Sequence, residues 1–261
     1  MAIPFVKYQG AGNDFIMIDD REDRFEALLD ERRIESLCHR RFGIGADGLI
    51  LLKTSETLDF RMKYYNSDGR PSTFCGNGGR CIARFAQHIG IVSEKCHFEA
   101  TDKPHRALFE GSDVVLEMHP LMDSFRKLRE HDFYMHTGSP HMVRFLTEDI
   151  ATYPVVEEGR RIRYSEEFAP AGVNVNFVSG WREGRLSVRT YERGVEDETL
   201  SCGTGVTACA LVWYLNQLPK NRQQRMDIGI TTPGGKLSVR VDPGHVWLAG
   251  PAERVFEGLI A

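Results

Sequence analysis

Residues 75–79 read CGNGG and residues 202–206 read CGTGV, so the chain carries the same short motif twice. The two copies start 127 positions apart, which is close to half of the 261 residues. Each copy places a cysteine directly before glycines and a run of residues that can form a helix. A repeat of this kind predicts a chain built from two equivalent halves.

Other landmarks recur in the same order at nearly the same offset. Tyr65 and Tyr191 differ by 126 positions, and the apolar run at residues 48–52 is echoed at residues 175–179. The alternative is that short glycine-rich turns recur by chance. We expect halves at residues 1–121 and 122–250, with residues 251–261 returning to the first half as a last strand.

Each half is predicted to place strands around one helix. The helix after Cys75 should end at Gly90, because glycine commonly terminates helices. After Cys202, residues 208–215 are apolar on every side of a helix. Such a helix is buried on all sides, and the inside of a curved sheet would bury it. Residues 30–42 predict a surface helix, whose inward side chains would be Leu28, Leu29, Ile34 and Leu37.

Composition excludes several functions. The net charge is −4 without a basic stripe, which argues against nucleic-acid binding. The longest apolar run is far shorter than the roughly 20 residues that span a bilayer. The first residues lack the apolar stretch of a secretory signal, so we expect a cytoplasmic protein. Six cysteines could form three disulfides, but a chain of 261 residues needs no cross-links and shows no export signal, so reduced thiols are expected. The cysteines form no Cys-x-x-Cys and no paired zinc spacing, so no metal site is expected.

Both motif cysteines are placed to react. A sulfur at a helix N-terminus lies beside unpaired amides, which can lower the pKa of a thiol from about 8.5 to about 3.5–7.5. The amides of Gly76, Asn77, Gly203 and Thr204 can also bind a carboxylate. The alternative for any single cysteine is that it packs as a small residue. Packing does not require the same motif twice.

Two such thiols predict inversion of a carbon next to a carboxylate. If the two halves face each other, one thiolate removes the α-proton and the opposing thiol protonates the other face. No cofactor is required for this chemistry. Binding of phosphate by the glycines is the alternative, but the Lys-Ser/Thr of a Walker loop is missing. Cys81 and Cys209 fall within the apolar helix pattern and are expected in the core.

Several polar residues lie where strands meet loops. Asn13, Asn66 and Asn174 could each simply form a turn, and Arg193 could be an ordinary surface charge. Together with Glu192 they would form a donor-rich pocket with one carboxylate, suited to a substrate with several ammonium and carboxylate groups. His141 is a lone histidine that could be structural or could assist proton transfer at a thiol.

Six motifs resemble the diaminopimelate epimerase family, in order along nearly the whole chain. They are GAGNDF at 10–15, GIGADG at 43–48, YNSDG at 65–69, CGNGGRC at 75–81, YERG at 191–194 and CGTG at 202–205. The resemblance implies an α/β fold of two pseudo-symmetric domains, each a rolled, mostly antiparallel sheet or barrel around a central helix. It also implies interconversion of LL- and meso-diaminopimelate in lysine and peptidoglycan synthesis, without pyridoxal phosphate, and a homodimer that closes over its substrate.

The resemblance further implies roles for individual residues. Cys75 and Cys202 match the acid/base pair, and His141 and Glu192 match residues that support the cysteines. The matches to substrate-contacting positions are Asn13, Asn66, Gly76, Asn77, Asn174, Glu192, Arg193, Gly203 and Thr204. Two positions depart from the pattern. Many relatives have Asn at Ser139 and some have Gln at Gly48, so the resemblance implies one or two fewer amide contacts to the substrate in this pocket.

Three other functions stay open. A related racemase could use the same two thiols on histidine or proline, although the asparagines and Arg193 favour a substrate with a distal charged stereocentre. A binding module that kept the fold is a second alternative, and loss of either cysteine would have favoured it. A thiol-disulfide oxidoreductase is the third, but a Cys-x-x-Cys motif is missing.

Overall fold

The computed structural model describes residues 2–72, 74–182, 184–217 and 225–261. The chain divides into two compact units. One covers Met1–Leu116 with Gly250–Ala261, and the other covers Glu117–Ala249. Within the described ranges, no helix has the length and hydropathy needed to span a bilayer.

Strands dominate both units. In chain order the strands of the described residues are β1 (Ile3–Gly10), β2 (Asn13–Asp19), β3 (Gly48–Lys53), β4 (Phe60–Asn66), β5 (Lys95–Glu99), β6 (Pro104–Glu110), β7 (Asp113–Met118), β8 (Leu121–Lys127), β9 (Asp132–His136), β10 (Pro140–Phe145), β11 (Asn174–Arg182), β12 (Arg185–Glu192), β13 (Asp197–Thr199), β14 (Met226–Thr232), β15 (Gly235–Asp242), β16 (His245–Pro251) and β17 (Glu253–Ile260). The helices are α1 (Glu31–Cys38), α2 (Gly76–His88), α3 (Val155–Arg163) and α4 (Gly203–Gln217).

Among the described residues, the strand pairing is the same in the two units, apart from the short β13, which pairs with β12 in the second unit. In the first unit the order is β17-β1-β2-β3-β4-β5-β6-β7, with parallel pairs only at β2–β3 and β4–β5. In the second unit the order is β8-β9-β10-β11-β12-β14-β15-β16, with parallel pairs only at β10–β11 and β12–β14. Both are mixed, mostly antiparallel sheets, as the sequence predicted. The final strand β17 holds the position in the first unit that β8 holds in the second.

Each unit has one helix packed against its sheet on several sides. Helix α2 contacts β1, β2, β3, β6 and β17, strands that are not all neighbours, so the sheet curves around it. Helix α4 contacts strands from β9 to β15 and is buried along nearly all of its described length. This burial is the physical reason that its sequence is apolar on every side. Pro219, which would end this helix, lies outside the described residues.

The end of α2 was predicted correctly. The helix stops at His88, and Gly90 follows with a φ of +77°. This left-handed conformation is accessible to glycine without steric cost and breaks the helical path of the chain.

The predicted surface helix over residues 30–42 is wrong in length. The structure limits it to Glu31–Cys38, with Asp30 as its N-cap. The chain then turns, and the amides of Gly45 and Ala46 donate to the last carbonyls of the helix at 3.0 and 2.9 Å. Because these carbonyls are bonded by the returning loop, the helix does not continue to residue 42.

The inward face of this segment was predicted in part. Leu29 and Ile34 are buried and Leu37 is half-buried, but Leu28 is 40% exposed. Leu28 belongs to a separate 3-10 turn, Glu26–Leu28, and not to α1. The helical periodicity that placed its side chain inward therefore does not apply to it.

Gly48 provides a test of how closely β3 and β4 pack. A Cβ atom on Gly48 would lie 2.5 Å from Tyr64 Cε2 and closer still to the carbonyl oxygen of Tyr65. We therefore expect Gly48→Gln to lower the free energy of unfolding by about 1–3 kcal/mol, since overpacking forces neighbours to shift. Chemical denaturation monitored by circular dichroism measures this change.

Gly180→Gln is the matched control, because Gly180 is exposed on a strand and its Cβ would meet no atom within 4 Å. It should unfold like the wild-type protein. A Gly48→Gln variant as stable as the control would contradict the close packing of β3 against β4.

Candidate active site

Cys75 is the N-cap residue of α2. Its backbone is extended, with φ −117° and ψ 123°, and its carbonyl accepts the first helical hydrogen bond, from the Gly79 amide at 2.7 Å. The side chain is half-buried. The sulfur therefore lies at the end of the helix where backbone amides have no helical partner and the dipole favours negative charge.

Asn13 connects this thiol to a carboxylate. The Cys75 Sγ donates to Asn13 Oδ1 at 3.6 Å, and Asn77 Nδ2 donates to the same oxygen at 3.4 Å. The Asn13 amide nitrogen donates to Asp47 Oδ2. Since a carboxylate can only accept these bonds, Asp47 fixes the Asn13 amide with its oxygen towards the sulfur.

Charged neighbours hold Asp47 in place. Arg40 Nη2 lies 2.6 Å from Asp47 Oδ1 and 2.8 Å from Asp14 Oδ1, and Lys7 Nζ lies 2.8 Å from Asp14 Oδ2. Burial raises the pKa of Asp14, but the hydrogen bonds from Arg40 and Lys7 outweigh it, so the net shift is downward. Asp14, Asp47, Arg40 and Lys7 thus form a hydrogen-bonded frame beside Asn13.

Arg80 is a fully buried cation in α2. Its Nη2 donates to Asn77 Oδ1 at 3.0 Å, and Nη1 lies 3.5 Å from the Gly76 carbonyl oxygen. Burial lowers the pKa of the Arg80 guanidinium, and only smaller electrostatic contributions from Cys81, Cys75 and Asp113 oppose that shift. The guanidinium thus orients the Asn77 side chain from inside the protein.

Asn66 lies at the same end of the first sheet. It ends β4 opposite Gly48 on β3, and Gly48 in turn pairs with Phe15 on β2. Its backbone closes a turn, with the Asn66 amide bonded to the Arg70 carbonyl at 3.0 Å. Among the contacts of the described ranges, its side chain makes no hydrogen bond to Asn13, Cys75 or Asn77.

Cys202 immediately precedes α4 in the second unit and is 7% exposed. Its Sγ lies 3.5 Å from the Thr204 hydroxyl oxygen. The same oxygen lies 3.0 Å from His141 Nε2, which also lies 2.9 Å from the Ser139 hydroxyl. His141 therefore reaches Cys202 through the Thr204 hydroxyl.

His141 is buried and electrically neutral. Burial, with smaller contributions from His136 and Arg193, lowers the pKa of His141 to about 3. At pH 7 the imidazole thus carries one proton, on one of its two ring nitrogens.

Asn174 connects the residue after β12, Arg193, to the Ser139 hydroxyl beside His141. Its Nδ2 donates to Ser139 Oγ at 3.2 Å and to the Pro140 carbonyl at 3.0 Å. Its Oδ1 accepts from the Arg193 amide at 2.9 Å. These three bonds fix the amide orientation and place the Arg193 backbone beside the hydroxyls near Cys202.

Glu192 and Arg193 end β12 with further contacts of their own. The Glu192 carboxylate accepts from the Thr199 hydroxyl at 2.8 Å. Arg193 Nη1 donates to the Ala171 carbonyl at 3.3 Å, and the side chain is half-buried. The Arg193 backbone is linked to His141 through Asn174 and the Ser139 hydroxyl.

Sequence reasoning missed several residues of these networks, among them Asp47 and Asn176. Asn176 Nδ2 lies 3.1 Å from His141 Nδ1, on the opposite side of the ring from Thr204. Because side chains alternate along a strand, Asn176 shares its face of β11 with Asn174, and this signal could have identified it. Asp47 lies in the GIGADG motif, but its bond to Asn13 comes from strand pairing that the motif does not show.

One group of carboxylates in the described ranges has the spacing of a cation site. Asp20, Asp23 and Glu26 lie within reach of one position. Lys53 Nζ already binds all three, at 2.8 Å from Asp20 and 2.9 Å from Glu26. Burial raises the pKa of Glu26, but bonds from Lys63 and Lys53 lower it to about 2. The cluster is therefore already paired with two lysines, Lys53 and Lys63.

The chain matches the family model described as diaminopimelate epimerase over residues 5–119 and 133–255. It is 46% identical to the diaminopimelate epimerase of Flavobacterium psychrophilum, an alignment covering 97% of this chain and 98% of that protein. Identity to the diaminopimelate epimerase of Aquifex aeolicus is 41%, covering 98% and 97%. A solved PhzF-family phenazine biosynthesis protein from Bacillus anthracis shares the fold, with TM-score 0.77, 15% identity, and coverage of 100% and 99%.

The repeated fold and these relatives define the class as cofactor-independent amino-acid epimerases. Within that class, the chain belongs to the diaminopimelate epimerase family. The resemblance read from the six motifs is thereby confirmed.

The buried His141 predicts a specific loss of stability in acid. The unfolded chain protonates this histidine near pH 6.5, whereas the folded protein does so only near pH 3. Protons therefore favour the unfolded state as the pH falls below about 6.5. Between pH 7 and pH 5 we expect the wild-type protein to lose about 2 kcal/mol more stability than His141→Gln.

Urea denaturation at the two pH values measures the difference. His131→Gln is the control, because the His131 side chain is 54% exposed, and it should follow the wild-type protein. Equal losses in the wild-type protein and in His141→Gln would show that His141 is not held neutral by the fold.

Proposed function

We propose that this protein interconverts LL- and meso-2,6-diaminopimelate, with Cys75 and Cys202 as its acid/base pair. The observation that carries the proposal is that each unit places one cysteine at the start of its central helix, with the sulfur beside a fixed polar network. The relatives of known name in the same family support the substrate.

The chemistry follows from the two thiols. One thiolate takes the α-proton of the substrate and becomes a thiol, while the electron pair stays on the α-carbon and its carboxylate. The other thiol then donates its proton to the opposite face and becomes the thiolate. Atoms and charge balance, and the two cysteines have exchanged protonation states after one inversion. The reverse reaction uses the same steps from the other side.

The helix ends supply the charge stabilisation. We propose that the amides of Gly76, Asn77, Gly203 and Thr204 hold carboxylate oxygens, where negative charge grows as the α-proton leaves. Because these amides are fixed by the fold, they need no rearrangement when the charge develops.

Substrate recognition is assigned to the polar groups at the strand ends. Asn13, Asn66 and Asn174 supply amide groups, Arg193 supplies a cation for a carboxylate, and Glu192 supplies a carboxylate for an ammonium group. Glu192 and His141 also support the proton balance of the cysteines. For His141 the supporting observation is its bond to Thr204, which in turn contacts Cys202.

The remaining features are proposed on the family resemblance. They are catalytic halves at residues 1–121 with 251–261 and at residues 122–250, a homodimer, and a cytoplasmic enzyme of lysine and peptidoglycan synthesis. Each stays a prediction.

The direct test is incubation with LL-diaminopimelate in deuterium oxide without added cofactor. We expect the meso isomer to form with deuterium at the inverted α-carbon, because the proton delivered comes from a thiol that has exchanged with solvent. Chiral chromatography and mass spectrometry measure both. No turnover, or turnover only with pyridoxal phosphate, would contradict the mechanism.

Matched alanine variants test which cysteines act as the acid/base pair. Cys75→Ala and Cys202→Ala should each lower kcat at least about 100-fold, since acid–base groups contribute about 10²–10⁴-fold. Cys81→Ala and Cys209→Ala change buried cysteines in the same two helices and should retain activity within a few fold. Racemisation of proline or histidine in place of diaminopimelate would support the alternative substrate instead.

A further inference from the structure

We propose that Asn176 is a positioning residue for Cys202, fixing the proton of His141 on Nε2 and so directing the Thr204 hydroxyl towards the sulfur. The role of Cys202 in catalysis rests on the proposed function, but the hydrogen-bond directions do not. All of the residues involved belong to the second unit.

The Asn176 amide can adopt only one orientation. Its Nδ2 lies 3.0 Å from the Met142 carbonyl oxygen, which can only accept a hydrogen bond. Its Oδ1 accepts from the Thr190 hydroxyl at 3.0 Å. Exchange of the amide oxygen and nitrogen would set two acceptors against each other at Met142. The carbonyl therefore fixes the nitrogen on that side.

This orientation decides the tautomer of His141. An amide nitrogen carries two protons, and one of them is used at Met142. The second points to His141 Nδ1, 3.1 Å away, so Nδ1 accepts. A neutral imidazole with an accepting Nδ1 carries its proton on Nε2.

The Nε2 proton then sets the direction of the hydroxyls. Ser139 Oγ contacts three groups among the described residues, namely Asn174 Nδ2, His141 Nε2 and Thr204 Oγ1. The first two are donors, so the Ser139 proton goes to Thr204. The single Nε2 proton of His141 is shared between the Ser139 and Thr204 oxygens, so neither hydroxyl can donate to Nε2. Thr204 therefore accepts from Ser139, and its own proton goes to Cys202 Sγ at 3.5 Å.

A hydroxyl that donates to sulfur stabilises the thiolate. With the other His141 tautomer, Nε2 would accept, and Thr204 or Ser139 could turn its proton to the ring. Thr204 would then be free to accept from a protonated Cys202. The tautomer of one buried imidazole thus determines which protonation state of Cys202 the hydroxyls favour.

The backbone is shaped to bring Asn176 close to the helix start. A Cβ atom on Gly205 would lie 2.5 Å from Asn176 Oδ1 and 3.4 Å from Cys202 Sγ. The missing side chain at Gly205 therefore lets β11 approach the first turn of α4. Asn176 is 0% exposed, so water does not compete for these bonds.

The test combines an NMR measurement of the His141 tautomer with a measurement of Cys202 alkylation. Long-range proton–nitrogen NMR of the full protein with labelled histidine should show His141 protonated on Nε2 and unprotonated on Nδ1 at pH 7. In Asn176→Leu, which removes the amide at similar volume, Nδ1–H should appear. The pH midpoint of Cys202 alkylation by iodoacetamide, followed by peptide mass spectrometry, should rise by about one pH unit. The labelling rate at pH 7 should then fall roughly tenfold.

Thr190→Val is the matched control, because it removes a buried hydrogen bond of Asn176 on the side away from His141. It should leave both the tautomer and the midpoint unchanged. His136 and Arg193 are the charged neighbours that act on His141, and both variants leave them in place.

Three results would overturn the proposal. They are an Nδ1–H or doubly protonated His141 in the wild-type protein, an unchanged midpoint in folded Asn176→Leu, or an equal shift in Thr190→Val. If Asn176→Leu does not fold, the wild-type spectrum decides alone. Neither readout requires turnover, so failure of this proposal is distinct from failure of the proposed function.

Discussion

The close packing of each central helix start against its own sheet is the constraint on which the site depends. In the first unit, a Cβ on Gly78 would lie 3.0 Å from Ile50 Cδ1, and in the second a Cβ on Gly205 would meet Asn176. Glycines at these positions let the first helical turn sit directly on the strands. The cysteine that precedes each turn is therefore held by the core of its unit and not by a surface loop. The amides of the first helical turn and the hydrogen-bond partners of the cysteine are therefore fixed by the fold before any substrate binds.

The two units repeat one fold but surround their cysteines differently. Cys75 faces an amide oxygen that is anchored by Asp47, within a frame of ionised side chains. Cys202 faces hydroxyls and a neutral imidazole. Five residues after each cysteine, the first unit has the buried Arg80 and the second has Thr207, which bonds to its own helix. A duplicated scaffold thus supplies two thiols in unlike electrostatic surroundings, which suits two groups that must hold different protonation states.

The features that follow from local periodicity could be predicted from the sequence. The repeat, the helix after each cysteine and the end of α2 at Gly90 all depend on short-range patterns. The length of α1 could not be predicted, because its end is set by amides that return from a later loop. The partners of the cysteines were found only in part for a similar reason. Asp47 and Asn176 reach the site across neighbouring strands, and strand register is not visible in a single motif.

The two cysteines at helix starts are expected to be reactive, and the other four are not. Burial raises the pKa of Cys38, Cys81 and Cys96 to about 12 and that of Cys209 well above its ordinary value. The most direct measurement is site-resolved iodoacetamide labelling of the native protein at pH 7, read by peptide mass spectrometry. The account predicts that Cys75 and Cys202 are modified first, while the other four react only on unfolding. Labelling of Cys81 or Cys209 as fast as Cys75 and Cys202 would contradict it.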